Sequence, residues 1–75
     1  MTHERIVWDP KVMNGRPVIK GTRIPVETIL RWLGQGETVE TLLAQYPSLV
    51  REDIFAAQTF AADLMAHERL VTAAE

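Results

Sequence analysis

The sequence lacks cysteine altogether and holds only two histidines, at positions 3 and 67. Disulfide bonds are therefore excluded, and two isolated imidazoles do not make the ligand cluster of a structural zinc site. No apolar run approaches the roughly 18 residues that a membrane-spanning helix needs, and the N-terminus has no signal-peptide core behind it. We therefore expect a cytoplasmic protein that contacts no membrane and holds no metal.

The composition is that of an ordinary globular domain and not of a disordered chain, since 47% of the 75 residues are hydrophobic and 24% are charged. The length fits a single domain over residues 1–75. A domain this small buries only about 60% of its unfolded surface. Because neither disulfides nor zinc stabilise the chain, self-association is the remaining source of additional stability, and we expect a homodimer.

Charge is distributed unevenly along the chain, although the formal net charge is only −2. Residues 1–23 hold five lysines and arginines against two carboxylates, which gives +3. Residues 24–75 hold three arginines against eight carboxylates, which gives −5. Such a division is typical of a contact with nucleic acid or with a charged protein, and equally of a plain solvated surface.

The front of the chain, residues 5–24, has the pattern of a short β-arm. Two β-prone runs are separated by turn residues, and the second, residues 16–20, meets Gly21 as in a hairpin. Pro17 and Pro25 cannot donate to a strand ladder, which predicts edge strands. An isolated hairpin is marginal in water, so we expect these strands to lean on helices or on a second copy.

Residues 25–69 have the pattern of three helices, which predicts a mainly α domain with a helix-turn-helix, homeodomain-like bundle. Pro25 suits the first helical position, and apolar residues then recur at intervals of three and four until two glycines end the pattern. Thr38 is a good N-cap for a second helix with the same spacing, and Pro47 ends that helix.

The third helix, predicted from about Arg51 to about Glu68, has two apolar faces. The wider face, suited to the core, consists of Ile54, Ala57, Phe60, Ala61, Leu64 and Met65. The smaller face consists of Phe55, Ala62 and Ala66. Because so small a domain supplies one packing partner for a helix, we expect the smaller face to be the dimer interface. Residues 70–75 have no cap or pattern and should fray.

No catalytic or cofactor site is predicted. Ser48 has no nearby base in the sequence, and His3 lies in a terminus that we expect to be floppy. The order of Lys20, Gly21 and Thr22 is not that of a phosphate-binding loop, in which glycine, lysine and threonine follow one another into a helix. We therefore expect a binding protein and not an enzyme.

Candidate binding residues lie in two places. Arg51, at the start of the third helix, suits a phosphate or a guanine edge, but Glu52 and Asp53 beside it would repel phosphates. The other cations flank the glycine turn of the β-arm: Arg16, Lys20 and Arg23. Such a trio is typical either of protection of an exposed strand edge or of an arm that grips phosphates or an acidic protein surface.

Three motifs of this chain occur together in one known family. They are the string GRPVIKGTRIPV at residues 15–26, the turn YPSL at residues 46–49 and the helix start EDI at residues 52–54. With these motifs nearly the whole chain resembles the bacterial domain-of-unknown-function family 433 (DUF433). The resemblance implies a homeodomain-like trihelical fold and the role of antitoxin in a type II toxin–antitoxin pair whose toxin is a PIN-like nuclease.

The resemblance implies a binding partner, the PIN-like nuclease, for the basic residues of the β-arm. A PIN-like nuclease holds divalent metal in a carboxylate cluster, and an arm with Arg16, Lys20 and Arg23 is suited to plug it without catalysis. A further role as an autorepressor on operator DNA stays open. Two alternatives also stay open: a stand-alone helix-turn-helix DNA-binding regulator without a toxin, and a structural dimerisation module.

One position departs from the family pattern. Val50 stands where such sequences have serine or threonine as the cap of the third helix. The loss of this cap is expected to cost about 1 kcal/mol, which Ser48 would partly restore by capping one turn earlier.

Overall fold

The front of the chain forms a small antiparallel hairpin in the computed structural model, which describes residues 3–11 and 13–68. Strand β1 (Ile6–Val7) pairs with strand β2 (Val18–Ile19), so that Ile6 lies opposite Ile19 and Val7 opposite Val18. A 3-10 turn, Met13–Gly15, lies between the two strands. The predicted β-arm is therefore confirmed as a hairpin.

Strand β2 is hydrogen-bonded on both of its sides and is therefore not an exposed edge. On its second side Val18 bridges to Pro25, and the Ile19 N–H donates to the Ile24 carbonyl at 3.0 Å. Both strand residues are 1% exposed. The edge prediction is therefore wrong for β2, because the chain folds back after Gly21 and covers it. The prediction that the strands pack against the helices is confirmed, since Ile6 of β1 and Ile19 of β2 belong to the core that the helices share.

Three helices follow, α1 (Val26–Gly34), α2 (Val39–Gln45) and α3 (Arg51–Glu68). The fold is mainly α with an N-terminal hairpin, as predicted. Pro25 is the N-cap of α1 and not its first helical residue. Thr38 caps α2 as predicted, because its hydroxyl accepts the Thr41 N–H at 3.1 Å.

The hydrophobic core lies where the hairpin and the three helices meet. Its buried members are Ile6, Ile19, Val26, Ile29, Leu42, Leu49, Ile54, Ala57 and Phe60. Both strands and all three helices contribute at least one of them. The hairpin and bundle therefore form one packed unit over the described residues. None of the helices described is both long and apolar enough to cross a membrane.

The second half of α3 extends beyond this core. Leu64 is 49% exposed and Met65 is 54% exposed, so their predicted place in the core is wrong. The physical reason is length: α3 has 18 residues and spans about 27 Å, whereas α1 and α2 have 9 and 7 residues. Phe60 is the last residue of α3 among the buried members of the core. The predicted fraying of residues 70–75 lies outside the described residues.

The start of α3 is capped by Asp53 and not by Ser48. The helix begins at Arg51, and the Asp53 carboxylate, one turn into the helix, accepts the Val50 N–H at 3.0 Å. This is the returning half of a capping box, in which a carboxylate at the third helical position satisfies the backbone of the cap residue. The predicted rescue by Ser48 is therefore wrong, because the cap comes from inside the helix.

Candidate binding surface

The turn between β2 and Ile24 carries two of the predicted binding residues, Lys20 and Arg23. The Thr22 N–H donates to the Ile19 carbonyl at 3.0 Å, which closes a four-residue turn. Gly21 stands at its third position with φ 82°, in the left-handed region that a type II turn needs there. The turn therefore has a defined conformation built on glycine.

The hydroxyl of Thr22 adds two side-chain hydrogen bonds to the backbone bond that closes the turn. It donates to the Ile19 carbonyl at 2.7 Å and accepts the Ile24 N–H at 3.0 Å. Lys20, Gly21 and Arg23 are exposed, whereas Thr22 is half-buried. The turn therefore exposes Lys20 and Arg23 to solvent, whereas the Thr22 hydroxyl is bonded to the backbone of the turn.

Lys20 and Arg23 differ from most other cations of the chain in their surroundings. Four arginines form ion pairs, which are Arg5–Asp53, Arg16–Glu27, Arg31–Glu27 and Arg51–Glu40. Among the residues that the structure describes, neither Lys20 nor Arg23 has such a partner, and the same holds for Lys11. The turn therefore holds two exposed cations that form no ion pair among the described residues and are open to an external anion.

Arg16 does not belong to the same surface as Lys20. Its guanidinium lies 3.4 Å from Glu27, and it borders an apolar groove beside Leu30 and Leu64. Lys20 instead lines a polar depression with Arg5 and the carboxylates of Glu4 and Asp53. The two cations lie at opposite ends of β2, so the predicted trio is divided by the strand that carries it.

Arg51 is held against α2. Its guanidinium lies 3.1 Å from the Glu40 carboxylate, and both side chains are exposed. A backbone N–H at Glu40 together with Arg51 lowers the pKa of Glu40 below its usual value. Since Glu52 follows directly, the start of α3 offers a phosphate little uncompensated positive charge. This geometry does not favour major-groove contact through Arg51.

The N-terminal segment is packed against α3. His3 Nε2 lies 3.1 Å from Asp63 Oδ2, and the imidazole stands edge-on to Phe60 with ring centroids 5.1 Å apart. Trp8 packs on the same phenyl ring at 5.5 Å. The expectation that His3 lies in a floppy terminus is therefore wrong. His67 borders a pocket that His3, Phe60 and Asp63 also line.

The predicted dimer strip lies on the outer face of α3. Phe55 is 51% exposed, and Ala62 and Ala66 are exposed on the same side of the helix, seven and eleven residues further on. The core-facing residues Ile54 and Ala57 lie on the other side. This strip is an apolar surface that the described chain leaves uncovered.

Two residues near the turn were not identified from the sequence. Arg5 borders the Lys20 depression through its pairing with Asp53, 48 positions away, and no local signal predicts such a partner. Thr22 carries a signal, because a hydroxyl residue beside a glycine turn commonly bonds to the neighbouring backbone.

Together, the hairpin, the three helices and the exposed basic turn define a small mainly α domain with surfaces suited to binding. The family model for DUF433, described as a protein of unknown function, matches residues 6–61. The chain belongs to this family.

One of the individual proteins similar to this chain is a member of the same family. A DUF433 member from Anabaena variabilis, known from its crystal structure, is similar with a TM-score of 0.75 and 39% identity over 79% of this chain and 58% of that one. The uncharacterized protein y4eO of Sinorhizobium fredii is 36% identical over 58 residues, 77% of this chain. This chain spans 26% of the length of that relative. An uncharacterized protein of Archaeoglobus fulgidus is 68% identical over 28 residues, 37% of this chain and 78% of that protein.

Proposed function

We propose that this chain is the antitoxin of a type II toxin–antitoxin pair and neutralises a PIN-like nuclease in the cytoplasm by binding to it, without catalysis of its own. The observation that carries the proposal is the turn at Lys20 and Arg23. Its cations are exposed and have no ion-pair partner among the described residues, whereas four other arginines are paired. A turn of this kind is suited to a partner that supplies the missing carboxylates.

Arg23 is the residue best suited to the contact. Its planar guanidinium can pair with a carboxylate through two parallel hydrogen bonds, which the ammonium of Lys20 cannot do. A metal-binding nuclease site is a cluster of carboxylates. Insertion of the turn at the rim of such a cluster would neutralise charge and block the approach of RNA or DNA by occlusion.

A second copy of the chain completes the proposal. The strip of Phe55, Ala62 and Ala66 lies on the outer face of α3, away from the core. A dimer joined there would leave the basic turn of each copy free for its own partner. Any contact of the dimer with operator DNA would depend on Lys20 and Arg23, because the start of α3 is compensated or acidic.

Where the gene beside this one encodes a nuclease-like protein, the test is to titrate that protein with four purified forms of this chain in a calorimeter. They are the wild type, Arg23→Ala, Arg23→Lys and Lys11→Ala. Arg23→Ala should weaken the complex by about 2 to 5 kcal/mol, as expected when one member of a buried interfacial charge pair is removed. Arg23→Lys should weaken it by less.

Lys11→Ala is the matched control, because Lys11 is exposed and has no ion-pair partner among the described residues but lies outside the turn. It should bind as the wild type does, and circular dichroism should show all four forms folded. Equal affinities for wild type and Arg23→Ala would reject the turn as the binding site. The absence of any nuclease-like gene beside this one, with tight salt-dependent binding to a DNA duplex, would favour the stand-alone regulator.

A further inference from the structure

The hydroxyl of Thr22 closes a small ring around Arg23. The Ile24 N–H donates to Thr22 Oγ1 at 3.0 Å, so the backbone of Arg23 is enclosed between two residues that are hydrogen-bonded to each other. The same hydroxyl donates to the Ile19 carbonyl at 2.7 Å, at the end of β2. Arg23 is therefore anchored to the strand through its neighbour's side chain.

The backbone alone would fix only part of this loop. The Thr22 N–H to Ile19 carbonyl bond closes the turn that contains Lys20 and Gly21, but Arg23 lies beyond it. The next backbone bond, from the Ile19 N–H to the Ile24 carbonyl, encloses all four loop residues without fixing any one of them. The Thr22 hydroxyl is the group that restricts Arg23 locally.

Restricting Arg23 matters for binding because a loose loop must be ordered when the partner arrives. Ordering a long side chain and its backbone opposes association, and a turn that is already ordered avoids this cost. Thr22 itself is half-buried between the two exposed cations. Its side chain therefore acts on the turn from within, whereas Lys20 and Arg23 face outward.

From these contacts we infer that Thr22 is a positioning residue, which fixes the relative placement of Lys20 and Arg23 and thereby selects a partner with two carboxylates at a matching separation. The inference rests on the proposed function, since it concerns the same turn. It adds that the recognition is geometric as well as electrostatic. A flexible peptide with the same number of carboxylates should bind with nearly the same affinity whether or not the placement of Lys20 and Arg23 is fixed.

The experiment compares Thr22→Val, which keeps the shape but removes the hydroxyl, with Thr22→Ser, which keeps the hydroxyl. The double variant Lys20→Ala/Arg23→Ala reports on the proposed function itself. Thr59→Val is the matched control, because Thr59 is exposed on α3 and its hydroxyl makes no hydrogen bond within the described residues. The probes are the nuclease-like protein of the proposed pair and a flexible twenty-residue poly-glutamate peptide, each titrated at two salt concentrations.

We expect Thr22→Val to bind the nuclease-like protein about tenfold more weakly and Thr22→Ser within about twofold of the wild type. The salt dependence of Thr22→Val should match that of the wild type, because both charges remain, and its binding to poly-glutamate should be unchanged. The Ile24 amide should exchange faster with solvent in Thr22→Val and not in Thr22→Ser.

The two ways of failing are distinguishable. If the double variant binds as the wild type does, the proposed function fails at this site. If the double variant loses binding but Thr22→Val keeps it, only the positioning role is overturned. Equal losses in Thr22→Val and Thr22→Ser would also overturn it, since the hydroxyl would then not be the cause. A loss confined to Thr22→Val supports it.

Discussion

The guanidinium of Arg5 lies 3.0 Å from the carboxylate of Asp53 and joins two residues 48 positions apart. Arg5 precedes strand β1, and Asp53 lies in the first turn of α3 with 6% of its surface exposed. The other oxygen of the same carboxylate accepts the Val50 N–H. The Asp53 side chain therefore links the hairpin to the helical bundle and also caps α3, the longest helix.

We expect Asp53→Ala to lower the free energy of unfolding by about 1 to 3 kcal/mol, because it removes a helix cap and a partly buried ion pair together. Asp53→Asn should cost less, since an amide oxygen can still accept the Val50 N–H. Glu52→Ala is the control, because Glu52 is exposed and adjacent, and it should change stability by less than about 0.5 kcal/mol. Urea denaturation followed by circular dichroism measures all three, and a loss for Glu52→Ala as large as that for Asp53→Ala would contradict this account.

Gly21 and Gly34 should respond to alanine in opposite directions. Gly21 has φ 82°, so Gly21→Ala should destabilise the protein by about 1 to 2 kcal/mol, although a new Cβ would meet no atom within 4 Å. Gly34 lies in α1 with equal space around it, and Gly34→Ala should stabilise by up to about 1 kcal/mol. Thermal unfolding of both variants checks the contrast, and a stabilised Gly21→Ala would show that the turn is not held in the left-handed conformation.

Phe60 and Leu64 are one helical turn apart but lie in different environments. Phe60 is 8% exposed and Leu64 is 49% exposed. Phe60→Ala should therefore cost about 3 to 5 kcal/mol, and Leu64→Ala less than about 1 kcal/mol. Chemical denaturation of the two variants measures the difference. Similar losses would place the end of α3 inside a packed core.

The proposed dimer should depend on Phe55. Phe55→Glu should convert the dimer to a monomer while helicity stays largely intact, because Phe55 is 51% exposed and its removal leaves the core filled. Ala44→Glu, at an exposed site on α2, is the matched control and should remain a dimer. Light scattering at about 50 micromolar, well above the dissociation constant of a stable dimer, gives the masses. A monomeric wild type would reject the dimer.

The sequence alone predicts much of this fold because its signals are local. The caps and breakers around Thr38, Pro47 and Gly21, with apolar spacing between them, set the ends of helices and turns within a few residues. The hairpin followed by three helices is confirmed for this reason. The local charge pattern also identified Lys20 and Arg23 as neighbours on one turn.

Contacts between residues far apart in the sequence were established only by the tertiary structure. The pairing of Arg5 with Asp53 joins residues 48 positions apart, and the packing of His3 on Phe60 joins residues 57 positions apart. Helical spacing predicts that Leu64 lies on the same face of α3 as the core residues. It does not predict whether another element packs against that face at the position of Leu64. The separation of Arg16 from Lys20 follows from the strand between them, which spans about 3.3 Å per residue. Each of these outcomes depends on distance in space, which the order of residues along the chain does not determine.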